Sequence, residues 1–203
     1  MKKTFTVNLA GLVYNIDEDA YNKLKDYLNA IESFLSDENE RKEIMNDIET
    51  RISELLNEKI SNVRAVITIE DINEIIKIMG EPDDFRDEDE SKKTKSTTYG
   101  YRSYRRIYRD PDNRIIGGVC SGLAAYWRID PTIVRVIFII LCIFGGSGLL
   151  IYLILWIIIP EAKTTAQKLE MRGEPVNVSN IIDFFKEEFE KVKNSMGFNK
   201  KNN

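Results

Sequence analysis

The run Val136–Ile159 is 24 residues long and carries no charged side chain. A helix rises about 1.5 Å per residue, so this run would reach about 36 Å, against a bilayer hydrocarbon core of about 30 Å. The expectation is one transmembrane helix over 136–159. Trp127, Arg128 and Arg135 stand at its near end, and Tyr152 and Trp156 toward its far end, where aromatic and basic side chains suit the interface. Gly145, Gly146 and Gly148 fall in mid-run. They read as a kink in a single span. The alternative is a turn that makes the run a re-entrant hairpin. Each arm would then have about 13 residues and reach about 20 Å, too short to cross. Such a turn needs protein around its backbone groups.

The residues before the run are basic. Arg102, Arg105, Arg106 and Arg109 interleave with Tyr99, Tyr101, Tyr104 and Tyr108, and seven arginines fall within 102–135. Arginine with aromatics can hold single-stranded nucleic acid. So close to an apolar run, anionic lipid headgroups are the expected partner instead, and no direct nucleic-acid binding is expected. The flank after the run, Glu161–Arg172, has only Lys163, Lys168 and Arg172. The positive-inside rule therefore keeps the front of the chain cytoplasmic. The tail would lie across the membrane for a single span, or on the same side for a hairpin.

Between the arginines, Asn113–Arg128 reads as a helix whose apolar face holds Ile115, Ile116, Val119, Leu123, Tyr126 and Trp127. Gly118 and Gly122 form a G-x-x-x-G, a spacing that lets two helix backbones approach, in the same chain or a second copy. The competing reading is a turn or tight packing inside the chain. Asp130 and Pro131 suit the start of the next helix.

The front of the chain is polar and patterned. Lys3–Leu9 and Leu12–Ile16, parted by Ala10-Gly11, read as a β-hairpin. Asp17 can cap a helix with Tyr21, Leu24, Leu28, Ile31 and Leu35 on one face. Ser36 and Asp37 allow a restart, and Ile44, Ile48, Ile52, Leu55 and Leu56 mark a second helix. Val66 and Ile67 are extended candidates. Thr68 with Asp71 forms a capping box before Ile72, Ile75, Ile76 and Met79, and Gly80 with Pro82 ends that helix. These stripes make a shared core.

The expected architecture is mainly α. A small front domain, a β-hairpin plus three helices, occupies 1–86, and a flexible charged linker occupies 87–103. An interfacial helix and one kinked transmembrane helix fill 104–163. An amphipathic tail follows over 164–203, with Ile181, Phe185, Phe189, Val192 and Met196 in one stripe flanked by Ile182 and Phe184. The front offers no secretory signal, because Asn8, Asn15 and Asp17 interrupt any apolar core.

The same residues exclude most chemistry. Histidine is absent, which removes the commonest general base and zinc ligand. Cys120 and Cys142 are too few for a metal cluster or a disulfide framework. No nucleophile–base pair and no phosphate loop is visible. No catalytic residue, cofactor or metal is expected, and the chain is not expected to be an enzyme.

The stretch Asn113-Arg114-Ile115-Ile116-Gly117-Gly118-Val119-Cys120-Ser121-Gly122-Leu123-Ala124, with Ile129-Asp130-Pro131 and Arg135, resembles the phage shock protein C (PspC) domain. Gly145-Gly146-Ser147-Gly148, Tyr152, Leu155-Trp156 and Pro160-Glu161 continue the likeness, which spans Tyr104 to Lys163. Ser121 stands where that family often has glycine. The resemblance implies a bacterial inner-membrane protein of the envelope-stress response that acts by protein contacts. The front domain is similar to the helical HAAS domain found beside PadR-like regulators, through Arg41, Ile44, Asp47-Ile48-Glu49, Ile52, Glu54-Leu55-Leu56 and Met79-Gly80-Glu81-Pro82. That likeness implies a cytoplasmic signalling module. The implied partners are lipids, another protein of a stress-response or transcription-regulatory system, and further copies of the chain. A structural protein that stabilises the membrane or blocks a pore is the alternative.

Overall fold

The computed structural model describes residues 3–35, 38–60, 66–82, 105–145 and 147–195. The linker 87–103, with Arg102, lies outside them, as do Ser36, Asp37, Gly146 and Met196. The described elements are β1 (Thr4–Leu9), β2 (Leu12–Asp17), α1 (Glu18–Phe34), α2 (Glu38–Lys59), β3 (Val66–Ile67), α3 (Ile69–Met79), α4 (Val119–Trp127), α5 (Pro131–Gly145), α6 (Ser147–Ile158), α7 (Thr165–Arg172) and α8 (Val178–Ser195). They fall into two units, Met1–Tyr101 with Asn177–Asn203, and Arg102–Val176.

In the first unit, β1 and β2 form the expected hairpin, Thr4 opposite Asp17 and Leu9 opposite Leu12. Ala10 and Gly11 both take positive φ, 49° and 85°, the two-residue turn whose twist matches the strands. The Gly11 N–H donates to Asn8 Oδ1 at 2.9 Å. β3 adds to β2 in parallel, with Ile16 beside Ile67. α1 and α2 lie against this small sheet, and α3 packs on both of them. The apolar stripes of α2 and α3 are buried where the periodicity puts them: Ile44, Ile48, Ile52, Leu55 and Leu56, then Ile72, Ile75, Ile76 and Met79. In α1 the buried line is Ala20, Leu24, Tyr27 and Ile31, while Tyr21 and Leu28 are half-buried. Tyr27 fits this line because its hydroxyl donates to Gly80 O at 2.9 Å, which ties α1 to the end of α3. Asp71 accepts from the Thr68 N–H at 2.9 Å, the return bond of the capping box.

The tail departs from its expected stripe. α8 packs on α2 within the first unit. Val178, Ile181 and Phe184 are its buried line, whereas Phe189 and Val192 are exposed. Packing on a neighbour of fixed shape selects the i, i+3, i+6 row instead of the full stripe.

In the second unit the apolar run is two helices, not one kinked span. Phe138 and Tyr152 meet edge to face with centroids 5.5 Å apart. Along one helix, 14 residues apart, they would be separated by about 21 Å. α5 and α6 therefore fold back on each other as a hairpin. Gly145 and Gly148 flank its turn. A Cβ on Gly148 would lie 2.7 Å from the Cys142 backbone nitrogen, so only glycine permits that approach. Each glycine also weakens a helix by about 1 kcal/mol relative to alanine, so the cluster is where a break is least costly. No helix among the described residues is long and apolar enough to cross a membrane.

The helix expected over Asn113–Arg128 is also corrected. α4 begins only at Val119. Asp110 accepts from the Asp112 N–H at 2.9 Å and takes a weaker bond from the Asn113 N–H at 3.4 Å, which holds the chain in a turn. Gly117 and Gly118 then take φ of 62° and 76°, left-handed values that a right-handed helix cannot contain.

Candidate membrane interface

The second unit is assembled around one short extended segment, Tyr108–Asp110. The Arg109 N–H donates to Pro160 O at 2.8 Å, and the Ala162 N–H returns to Arg109 O at 3.0 Å. These bonds pair Arg109 with Glu161 in parallel. The chain entering the α4–α6 region is thus bonded to the chain leaving it. The segment also lies across α4: the Asp110 N–H donates to Gly118 O at 3.0 Å. A Cβ on Gly118 would stand 2.3 Å from Asp110 O, and one on Gly122 1.8 Å from Tyr108 O. The close approach at this G-x-x-x-G is made by a backbone segment of the same chain.

Arg109 completes the junction with its side chain. Nε donates to Ile159 O at 2.9 Å and Nη1 to Gly117 O at 3.1 Å. Nη2 lies 3.6 Å from Glu161 Oε2, and the guanidinium sits 5.8 Å from the Trp156 ring centroid. One planar fork therefore satisfies a carbonyl at the end of α6 and another in the glycine turn, a task suited to arginine. Gly117 fits beneath Trp156, whose Cδ1 would be 2.6 Å from an added Cβ.

The other expected interface residues divide by role. Arg105 donates to Tyr126 O at 3.2 Å, with its chain against Gly173. Arg106 is exposed and bonds the Tyr108 hydroxyl. Arg128 closes α4 with a positive φ of 56°, and Trp127 beside it is exposed. Arg135 donates to Asn113 O at 2.9 Å. Tyr152 donates its hydroxyl to Ile116 O. Trp156 is half exposed over the glycine turn. Sequence reasoning found the arginines but not the junction that Arg109 makes, because its partners lie 8 and 50 residues away.

Beyond this junction the hairpin is apolar on nearly every side. Val134 is buried with Val119, Leu123, Ala124 and Ile159. By contrast Ile137, Ile140, Ile143, Leu150, Ile154 and Ile157 are exposed. A helix pair that is apolar all round belongs inside a larger protein or in a lipid phase. Between α5, α6 and the start of α4 runs a groove of about 390 Å³.

The comparisons fit this geometry. Residues 105–162 match the PspC domain family, and residues 26–85 match the HAAS family. Over 60 residues the chain is 40% identical to "Uncharacterized membrane protein YvlC" of Bacillus subtilis (strain 168), an alignment that covers 29% of this chain and 92% of that protein. The chain belongs to the PspC domain family. No solved structure matches it. The PspC match runs from Arg105 to Ala162, so it encloses both of the segments that Arg109 and Glu161 pair. The PspC domain here is the hairpin together with the clasp that closes it. α7 packs against α4 just beyond. It starts with its own capping box, in which the Gln167 N–H donates to Thr164 Oγ1 at 3.3 Å.

Proposed function

We propose that this PspC-family protein is a non-enzymatic regulator of envelope stress, held in the inner membrane by the α5–α6 hairpin and acting through protein contacts. The observation that carries the membrane reading is the apolar hairpin closed at its base by the Arg109–Glu161 pairing. Fifteen large apolar residues between Ile133 and Ile158 are exposed among the described residues. At about 0.5 kcal/mol each for transfer into the bilayer, they would favour insertion by about 7 kcal/mol. α5 has 15 residues and α6 has 12, about 22 and 18 Å, enough to enter one side but not to cross. Both flanks then stay on one face. The arginines among them favour the cytoplasmic face. The packing of α8, which follows the hairpin, on α2, which precedes it, supports the same topology.

In this reading the first unit is the signalling part, which the HAAS match over residues 26–85 supports, and its partner would be another protein of a stress-response or transcription-regulatory system. Three experiments test this reading. Reporter fusions at Lys3 and at Ser195 should both read cytoplasmic, and carbonate should leave the chain in the membrane. A periplasmic signal at Ser195 would overturn the hairpin topology. A chain lacking residues 1–86 should remain membrane-bound but lose regulatory output. Output that persists would favour a membrane-stabilising or pore-blocking protein instead.

A further inference from the structure

The groove of about 390 Å³ is lined by Ile115, Ile116, Cys120, Phe138, Ile139 and Leu149, with Arg135 among its walls. Its volume is that of a small-molecule site. From Arg135 to Ile143 it follows α5 for about 12 Å. Nearly all of its surface is apolar. It contains no carboxylate, and among the described residues Arg135 makes no ion pair. One guanidinium nitrogen, Nη2, donates to Asn113 O. Arginine has five N–H donors, so the others are left for an acceptor from outside. Asp130 acts on Arg135 only at longer range, and its own carboxylate is engaged by the Thr132 N–H at 2.7 Å.

We propose that this groove holds one acyl chain of an anionic phospholipid, with the lipid phosphate on Arg135. This rests on the membrane reading above. A slot so apolar on a hairpin in the bilayer is not stably filled by water, which needs two to four polar partners. The molecule at hand with an apolar chain and an anionic head is the lipid itself. The basic end of the groove selects a net negative headgroup over a zwitterion.

The test is native mass spectrometry of the full chain released from mild detergent, with phosphatidylglycerol and phosphatidylcholine of identical chains offered in equal amounts. One phosphatidylglycerol per chain should be retained, favoured about fivefold, the factor that about 1 kcal/mol per arginine gives. Arg135→Gln should bring that preference to near one, and Arg135→Lys should keep most of it. Ile139→Trp, which fills the groove, should remove both lipids. Equal retention of the two lipids by the parent overturns the proposal. So does an Arg135→Gln chain that keeps its preference, or a lipid-free dimer with the groove closed by a second copy. Carbonate extraction of the membranes from which each chain is prepared separates the two ideas. A chain released to the soluble fraction fails the membrane reading itself. A chain retained in membranes without bound lipid fails only the groove.

Discussion

Replacing Gly122 by alanine sets two effects against each other, and their magnitudes decide the sign. Gly122 lies inside α4, where alanine would favour the helix by about 1 kcal/mol. Its new Cβ, however, would stand 1.8 Å from Tyr108 O. The obstacle is backbone, so it cannot rotate away, and segment 108–110 would have to retreat by about 1.5 Å to reach ordinary contact. That retreat breaks the Asp110–Gly118 bond of 3.0 Å and strains the two bonds between Arg109 and the 160–162 segment. A buried donor or acceptor left unsatisfied costs about 1–3 kcal/mol, and the two strained bonds add to it, so the loss is about 2–4 kcal/mol. The net effect is destabilisation by about 1–3 kcal/mol. For a unit of this size that lowers the midpoint of thermal unfolding by about 5 °C or more. The assay is thermal unfolding of the full chain in mild detergent, parent beside Gly122→Ala. A midpoint equal to or above the parent's would refute the reasoning, because it would mean that no backbone lies on this face of α4. Gly122→Ala should also leave self-association unchanged at equal folded levels, since the tight neighbour is in the same chain.

Two further outcomes follow from the same unit. Arg109→Lys should destabilise nearly as much as Arg109→Met, by about 2–3 kcal/mol in denaturant titrations, because a single ammonium cannot serve Ile159 O and Gly117 O together; full tolerance of lysine would show that charge alone matters. Burial, followed by the nearby Glu170 carboxylate, pushes the Tyr108 phenol above its ordinary value of 10.0. Its folded form therefore prefers the proton, and the associated stability is present below pH 10 and lost as pH climbs through the raised value. Unfolding midpoints recorded from pH 9 to 12 should fall less steeply for Tyr108→Phe than for the parent, and identical slopes would remove Tyr108 from the account.

Much of the first unit was legible in the sequence because its signals are local. Ala10-Gly11 between two β-rich runs specifies a tight turn, and Thr68 with Asp71 specifies a helix start three residues apart. The steps of three and four in α2 and α3 fix their buried faces. Tyr27 was missed because its place in the core depends on a carbonyl 53 residues away. The second unit was harder to read for a different reason. A run that is apolar on every face carries no phase, so its periodicity cannot distinguish one long helix from two short ones. Apolar spacing also carried the α4 prediction back across Gly117 and Gly118, whose positive φ leaves no trace in hydrophobicity. The arginines were read as surface charge from their spacing with tyrosines. What sets Arg109 apart is the set of carbonyls it reaches, and these come together only when the hairpin closes.

That closure bears on how the chain gets into a membrane. A single span would oblige everything after Ile159, including Lys163, Lys168, Arg172 and the acidic and basic residues of α8, to be carried through the bilayer by the secretion machinery. In the proposed topology, a hairpin clasped at its base by Arg109 and Glu161 would have both of its ends on the side where the ribosome releases them. It would enter the nearer leaflet with no polar segment having to cross. The protein would therefore reach the membrane independently of a translocation channel, and would remain able to arrive when that channel is itself impaired.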